Sequence, residues 1–185
     1  MTETIPNETA ELASIERRIG SEISALASLL RQKGLYVTAA ESLTGGMISS
    51  SFVDIPGSSD WFSYGFVTYS NRAKTDLVGV PKALLDEQTA VSADVALAMA
   101  AGALKNSGAN ASVAVTGLAG PFSDEAGVPY PMDPRHEPGL VFIACAGGNG
   151  TVVKRCVFSG SRTLIRKKTT LTAVMMLKKL VQTLL

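Results

Sequence analysis

Apolar positions recur at helical spacing in the first part of the chain, and a second helical pattern lies at its end. From Glu11 to Lys33 the apolar residues fall three or four apart and Gly34 follows as a stop signal, which predicts a long helix after a frayed segment at 1–10. We predict that a final helix starts at Ser161 and ends near Leu184. Both ends of the chain are therefore predicted to contribute helices.

Short apolar runs in the middle of the chain alternate with further helical segments. The runs predict strands over 35–39, 62–69, 111–116, 140–146 and 151–158. The segments between them predict helices over 43–53, around Lys74, from Pro81 and over 93–107. Helices that separate short apolar strands predict a three-layer α/β/α sandwich with a mixed, mostly parallel sheet of about five strands. The sheet is predicted to be mixed because the last two strands form a hairpin.

Local capping signals define two of these helices. Asn71 is predicted to cap the short helix that carries Lys74, and Ser92 is predicted to cap the Ala-rich helix that ends at Gly108. The chain has no internal repeat and no domain-scale linker. We therefore predict one domain over 11–185.

Composition and charge limit the classes of partner. Of the 185 residues, 46% are hydrophobic and 18% charged, which is typical of a compact domain. The 17 basic side chains nearly balance the 16 acidic ones, so no net field favours nucleic acid or an anionic membrane. The first residues do not form a signal peptide, and no uncharged apolar run reaches the roughly 18 residues of a membrane span. We expect a cytoplasmic protein that binds neither nucleic acid nor membrane.

The scarcity of histidine and cysteine limits the chemistry. The predicted hairpin would place Cys145 opposite about position 152 rather than opposite Cys156, so we predict two free thiols. His136, the only histidine, lies beside acids in a proline-rich segment and is interpreted as an exposed loop residue rather than a ligand. Most histidine-based triads and cysteine-rich metal sites are therefore excluded, and we expect no metal and no cofactor.

A small polar turn follows the first predicted strand. It contains Ser42, Thr44, Gly45 and Gly46. In open α/β sheets ligands bind beyond the carboxyl ends of strands, where free amides of a helix N-terminus can hold an anion or a developing oxyanion. This turn is a candidate site with Ser42 as a nucleophile. The alternative is that Ser42 or Thr44 only caps the next helix.

Lys74 is the candidate base for such a serine. A lysine accepts a proton only when neutral, so its pKa would have to fall by roughly 2–3 units through burial or a cationic neighbour. Arg72 is a candidate neighbour, and the aromatic strand at 62–69 can supply an apolar wall. The alternative is an exposed lysine on an amphipathic helix.

Two further segments are candidates for the same site. Thr116 to Gly120 forms a small-residue loop at the same predicted edge of the sheet, although it could be only a tight connection. Arg162 and Arg166 lie four apart near the start of the final helix and share a face, where cations oppose the helix macrodipole. A phosphate bound between them would relieve that conflict. The alternative is a solvated basic face.

Five short motifs occur in order over roughly residues 12 to 184, nearly the whole chain. They are E-S-L-T-G-G (41–46), G-F-V-T-Y-S-N-R-A-K (65–74), A-V-S (90–92), T-G-L-A-G-P (116–121) and F-S-G-S-R-T-L-I-R (158–166). Together they resemble the CinA carboxy-terminal domain family, the nicotinamide-nucleotide amidase (PncC-type) group of bacterial competence/damage-inducible proteins. The family fold is also a three-layer α/β/α sandwich with a mixed sheet.

The resemblance implies an activity and an assembly. It implies hydrolysis of the carboxamide of nicotinamide mononucleotide to nicotinate mononucleotide and ammonia, without a metal, in pyridine nucleotide salvage and NAD metabolism. It also implies a homodimer or higher homo-oligomer. No amino-terminal CinA domain is present in the sequence, so the resemblance implies the stand-alone form.

The resemblance also implies roles for individual residues. Ser42 matches the nucleophile and Lys74 its base. Together with the loops described above, it leads us to expect that the substrate is bound by Thr44, Gly45, Gly46, Tyr69, Asn71, Thr116, Gly120, Arg162 and Arg166. The third member of the proton relay stays open among Tyr69, Ser70 and Thr116.

Two departures from the family pattern bear on the substrate. Leu43 replaces a cysteine, which is a packing change. The loop at 122–139 is longer than usual, lacks the glycine pair and carries Asp124 and Glu125. Two alternatives therefore stay open beside the nucleotide amidase: a Ser/Lys amidohydrolase that acts on another amide, and a catalytically inactive nucleotide-binding module.

Overall fold

The structure is a computed structural model that describes residues 6–120, 133–148 and 150–184. The strands are β1 (Val37–Glu41), β2 (Phe62–Val67), β3 (Ala111–Gly117), β4 (Leu140–Gly147) and β5 (Gly150–Val157). The helices are α1 (Pro6–Lys33), α2 (Met47–Val53), α3 (Asn71–Val78), α4 (Lys82–Gln88), α5 (Ala93–Ser107) and α6 (Arg162–Thr183), with a 3-10 turn at Ser58–Asp60. Most of the loop at 122–139 lies outside the described residues, Asp124 and Glu125 included.

The five strands form one mixed sheet in the order β2-β1-β3-β4-β5. β1 pairs in parallel with β2 and with β3, whereas β4 pairs antiparallel with both β3 and β5. β4 alone is therefore reversed, which confirms the predicted mixed sheet and its antiparallel hairpin. In that hairpin Cys145 pairs with Val152, and both cysteines are free, as predicted.

Helices cover both faces of the sheet and give three layers. One core cluster joins α1, α2 and α6 to residues such as Val113 and Val115, while the other joins α3, α4 and α5 to residues such as Ala114. The strand alternation sends successive side chains to opposite faces. The α5 side is lined by small residues, and a Cβ on Gly102 would lie 1.7 Å from the Val78 carbonyl oxygen. Glycine at this position therefore lets α5 approach the end of α3.

Several helix boundaries agree with the sequence signals, and others differ. The Ser92 side chain caps α5 as predicted, by accepting a hydrogen bond from the backbone. The Ser161 side chain caps α6 in the same way, and that helix begins at Arg162, one residue after the predicted start. The predicted cap of α3 was wrong by one residue, because the Ser70 hydroxyl accepts the Ala73 N–H and Asn71 is the first helical residue. α1 begins at Pro6, earlier than the predicted Glu11.

α2 starts at Met47 rather than near position 43. The preceding glycines have positive φ angles, 59° at Gly45 and 99° at Gly46, so the chain makes a turn before the helix can begin. This turn shapes the candidate site. Among the described residues, no helix combines the length and the apolar character needed to cross a membrane.

Candidate active site

The turn from Ser42 to Gly46 lies at the carboxyl end of β1. The Ser42 amide donates to the Val115 carbonyl of the neighbouring strand at 3.1 Å, and the Gly45 amide closes the turn on the Ser42 carbonyl at 3.1 Å. Ser42 is buried, with only 7% of its surface exposed. The parallel pairing of β1 with its neighbours therefore sets the position of this serine.

Glu41, the last residue of β1, holds the N-terminus of α2. Its fully buried carboxylate accepts hydrogen bonds from the amides of Gly46 (3.0 Å), Ile48 (3.0 Å) and Ser49 (2.8 Å), and from the Ser49 hydroxyl (2.7 Å). Amides at a helix N-terminus need such acceptors, and a carboxylate suits the positive end of the helix dipole. The alternative in which Ser42 or Thr44 caps this helix is therefore wrong.

Glu41 is a residue that the sequence reasoning missed. The signal available was an acid just before a turn whose last residue, Gly46, has no side chain to serve as an N-cap. Because Glu41 occupies the Gly46 amide, that amide is not free to hold an oxyanion. The Gly45 amide is likewise committed to the turn.

Lys74, in the first turn of α3, reaches the nucleophile candidate. Its side chain is only 1% exposed. The Nζ atom lies 3.1 Å from the Ser42 Oγ, 2.9 Å from the Thr68 carbonyl oxygen and 3.2 Å from the Tyr69 carbonyl oxygen. The β2–α3 connection thus places two carbonyl oxygens beside the amine, and the amine also contacts the Ser42 hydroxyl.

Burial lowers the pKa of Lys74 from 10.5 to about 8. Desolvation disfavours the charged ammonium, so the neutral amine becomes accessible near physiological pH. Arg72, the cationic neighbour considered from the sequence, is exposed and pairs with Asp76 at 3.0 Å. The depressed pKa of Lys74 therefore follows from burial alone.

Two backbone amides of the turn remain without acceptors. Within the part of the chain that the structure describes, neither the Leu43 nor the Thr44 N–H has a hydrogen-bond partner. The Thr44 hydroxyl is also fully buried and unpaired. Unsatisfied buried polar groups are uncommon and costly in folded proteins. The free donors of this turn are thus at 43 and 44 rather than at 45 and 46.

Two arginines of α6 contact the loops at the ends of β1 and β3. Arg166 donates from Nε to the Leu43 carbonyl at 3.0 Å and from Nη2 to the Thr44 carbonyl at 2.7 Å. Arg162 donates from Nη1 to the Gly120 carbonyl. Arg166 is half-buried, whereas Arg162 is exposed. The first turns of α6 therefore join the two loops.

The other residues expected at the site lie around this pair. Thr116 is buried and its hydroxyl donates to the Ala90 carbonyl at 2.5 Å, while the Tyr69 side chain and Asn71 are exposed. Among the described side chains, none of the three candidates for a third relay member hydrogen-bonds to the Ser42 hydroxyl or the Lys74 amine. The Tyr69 backbone carbonyl takes that place.

His136 differs from its interpretation as an exposed residue. It is half-buried, and its Nε2 lies 3.0 Å from the Thr89 hydroxyl. Thr89 itself has a φ of 64°, a backbone conformation that is unusual for a β-branched residue. No group of three or more potential metal ligands occurs in the ranges that the structure describes.

Comparison with known proteins identifies the family. The family model for the CinA C-terminal domain matches residues 21–181. The chain belongs to this family. A CinA-like protein of Geotalea uraniireducens is 48% identical over 154 residues, which are 83% of this chain and 35% of that protein. The chain therefore spans only part of the length of such relatives.

Relatives of similar length, and solved structures, also match. The nicotinamide-nucleotide amidohydrolase PncC of Enterobacter agglomerans is 41% identical over 152 residues, covering 82% of this chain and 88% of that protein. The crystal structure of the competence/damage inducible protein CihA from Agrobacterium tumefaciens has 40% identity and a TM-score of 0.79, covering 88% of this chain and 95% of that one. A CinA superfamily protein from Escherichia coli has 29% identity and a TM-score of 0.77, with coverages of 89% and 90%. The α/β fold of this chain is thus the fold of the CinA superfamily.

Proposed function

We propose that this chain is an amidohydrolase that cleaves the carboxamide of nicotinamide mononucleotide by acyl transfer through Ser42. The observation that carries the proposal is the 3.1 Å contact between the Ser42 Oγ and the Nζ of the buried Lys74. A relative named as a nicotinamide-nucleotide amidohydrolase supports the substrate, while most relatives are named only CinA-like.

The contacts of Lys74 suit a general base. A neutral amine has two N–H donors and one lone pair, and the carbonyls of Thr68 and Tyr69 can accept both donors. The lone pair is then left for the Ser42 hydroxyl. A serine is a weak nucleophile until an adjacent base takes its proton, and a lysine with a lowered pKa can do so near neutral pH.

The reaction then follows in two halves. Ser42 Oγ attacks the carboxamide carbon as its proton passes to Lys74, and the free Leu43 and Thr44 amides stabilise the oxyanion. The C–N bond breaks, the Lys74 ammonium returns the proton to the leaving nitrogen, and ammonia departs. Water, deprotonated by Lys74, attacks the acyl ester, the bond between the acyl carbon and the Ser42 Oγ breaks, and the Lys74 ammonium returns the proton to that oxygen as nicotinate mononucleotide leaves. No step requires a metal, and the reaction would serve pyridine nucleotide salvage.

Arg162 is the candidate for the nucleotide phosphate. It is exposed at the start of α6, and its Nε and Nη2 have no partner among the described residues. A guanidinium with two free donors suits a phosphate oxygen pair.

The test is ammonia release from nicotinamide mononucleotide by the Ser42→Ala variant. We expect turnover to fall to background, while Ser50→Ala, which changes an exposed serine of α2, keeps the wild-type rate. Undiminished turnover in Ser42→Ala would refute the nucleophile. Saturable activity of the wild type on another amide, with none on the mononucleotide, would favour a different substrate. A thermal shift with the mononucleotide but no product would favour a binding module.

A further inference from the structure

Two backbone carbonyls in the turn from Ser42 to Gly46 accept hydrogen bonds from one guanidinium. Arg166 binds the Leu43 carbonyl through Nε and the Thr44 carbonyl through Nη2, at 3.0 and 2.7 Å. A Cβ placed on Gly45 would lie 3.5 Å from Nη2, so the guanidinium packs directly against the turn. These contacts join residues 123 and 122 positions apart in the chain. They are therefore tertiary contacts rather than local ones.

The planarity of the peptide bond gives these contacts a directional effect. The Leu43 carbonyl and the Thr44 N–H belong to the same trans peptide unit and point in opposite directions. Fixing the carbonyl against Arg166 therefore fixes the Thr44 N–H on the side away from the guanidinium. That N–H is one of the two amides of the turn without an acceptor among the described residues.

The charge of Arg166 also makes the Thr44 N–H a stronger hydrogen-bond donor. A hydrogen bond from an ionised donor is stronger than one between neutral groups, and it polarises the peptide unit that accepts it. The N–H of a polarised peptide is a better donor to a developing negative charge. Arg166 can thus act on an oxyanion through the Leu43–Thr44 peptide without touching the substrate.

We propose that Arg166 is a positioning residue that orients the Leu43–Thr44 peptide so that its N–H faces the oxyanion formed on attack by Ser42. This proposal rests on the acyl-transfer function proposed above. It replaces the expectation from sequence that Arg166 binds phosphate, because two of its three nitrogens are already bound to backbone carbonyls. Phosphate binding is left to Arg162.

The two roles predict different kinetic changes. A phosphate ligand contributes to binding of the nucleotide, so its loss raises KM for the mononucleotide and leaves a phosphate-free substrate unaffected. A residue that orients an oxyanion donor acts in the transition state, so its loss lowers kcat for both substrates. Removal of a complete oxyanion donor costs about 10²–10³ in kcat. Misorientation should cost a part of that, about tenfold or more.

The first experiment uses Arg166→Met, Arg166→Lys and the control Arg18→Met, an exposed arginine of α1. Lysine keeps the charge but cannot form both hydrogen bonds. We expect kcat on nicotinamide mononucleotide and on nicotinamide riboside to fall about tenfold or more in both Arg166 variants, with KM within about twofold of wild type. A rise in KM for the mononucleotide alone, with kcat unchanged, would overturn the proposal.

A second measurement separates this proposal from the choice of substrate. Acylation of Ser42 by p-nitrophenyl acetate, followed by p-nitrophenol release and the mass of the protein, needs the serine, its base and the oxyanion donors but no carboxamide. We expect slower acylation in the Arg166 variants and a wild-type rate in Arg18→Met. Slow acylation in those variants, with a wild type inactive on both amides, would reject the proposed substrate and support the positioning role.

Equal acylation rates in wild type and the Arg166 variants would overturn the positioning role, whatever the amide results. So would a wild type that the ester does not acylate at all. Thermal melting of each variant checks the fold, and Arg166→Lys serves where Arg166→Met does not fold.

Discussion

The rate of amide hydrolysis should rise with pH around the pKa of Lys74. Only the neutral amine can accept the Ser42 proton, and burial lowers this pKa to about 8. With that value about one-eleventh of the protein is in the active form at pH 7 and about ten-elevenths at pH 9. A lysine at the ordinary pKa of 10.5 would be neutral in only about 0.03% of molecules at pH 7. We therefore expect kcat/KM to rise about tenfold from pH 7 to pH 9 and then level.

The assay is ammonia release from nicotinamide mononucleotide between pH 6 and pH 10 at constant ionic strength. Lys74→Met should be inactive throughout. Lys82→Met is the matched control, because Lys82 is exposed and pairs with Asp86 at 2.6 Å. This variant should keep the wild-type profile, which separates the loss of a buried base from the loss of a positive charge.

The same pKa should appear in the pH dependence of stability. The folded protein releases the Lys74 proton near pH 8, whereas the unfolded chain holds it up to its ordinary pKa of 10.5. Between these values the unfolded state binds more protons, so the Lys74 contribution to the free energy of unfolding rises with pH. Burial raises the pKa of the Cys145 thiol to about 12, which acts in the opposite sense at high pH. Subtracting the melting temperature of Lys74→Met from that of the wild type removes the thiol contribution, which both proteins share. This difference, wild type minus variant, should increase from pH 8 to pH 10.

Three results would refute this reasoning. The first is a wild-type rate that is flat between pH 7 and pH 9, and the second is a midpoint above pH 10. The third is a melting-temperature difference that does not change with pH. Either of the first two results would show that Lys74 is not the general base. The third would show that the pKa of Lys74 is not lowered in the folded state.

Two further substitutions test the packing of the site. Glu41→Gln should lower the free energy of unfolding by roughly 1–3 kcal/mol or more, because an amide cannot accept all four hydrogen bonds of the carboxylate. In denaturant titrations Glu87→Gln, at an exposed site, should change it by less than about 0.5 kcal/mol, and equal effects would contradict the capping role. Thr44→Val should stabilise the fold by about 1 kcal/mol, since the buried hydroxyl has no partner to lose among the described residues. A destabilised variant in the same titration would show that this hydroxyl is paired in solution.

Local signals in the sequence predicted the elements well. The Ser92 cap and the Gly108 end of α5 were placed correctly, because both depend on a few neighbouring residues. The cap of α3 was misassigned because Ser70 and Asn71 are both suitable residues, and only the backbone direction distinguishes them. The antiparallel hairpin was predictable because a short glycine-rich sequence at 147–150 separates two apolar runs, and Cys145 pairs with Val152 as expected.

The site itself was predictable only in part. Ser42 and Lys74 stood out as candidates, but their contact depends on the parallel pairing of β1 with β2. The acceptors of the Lys74 amine are backbone carbonyls, which carry no residue signature. Arg166 was assigned to a phosphate because its spacing from Arg162 gave its face on α6, whereas its partners are set by how α6 docks on the sheet.

The long sequence separation of the Arg166 contacts has a consequence for the order in which the site assembles. Ser42 and Lys74 are 32 positions apart, whereas Arg166 meets its two carbonyls across 122 and 123 positions. Contacts of short loop length close at lower entropic cost, and a nascent chain supplies its amino-terminal elements first. The serine and lysine can therefore meet before α6 has been synthesised or has docked. The amide cleavage proposed for this chain would therefore be acquired only once α6 has docked, later than the contact between Ser42 and Lys74.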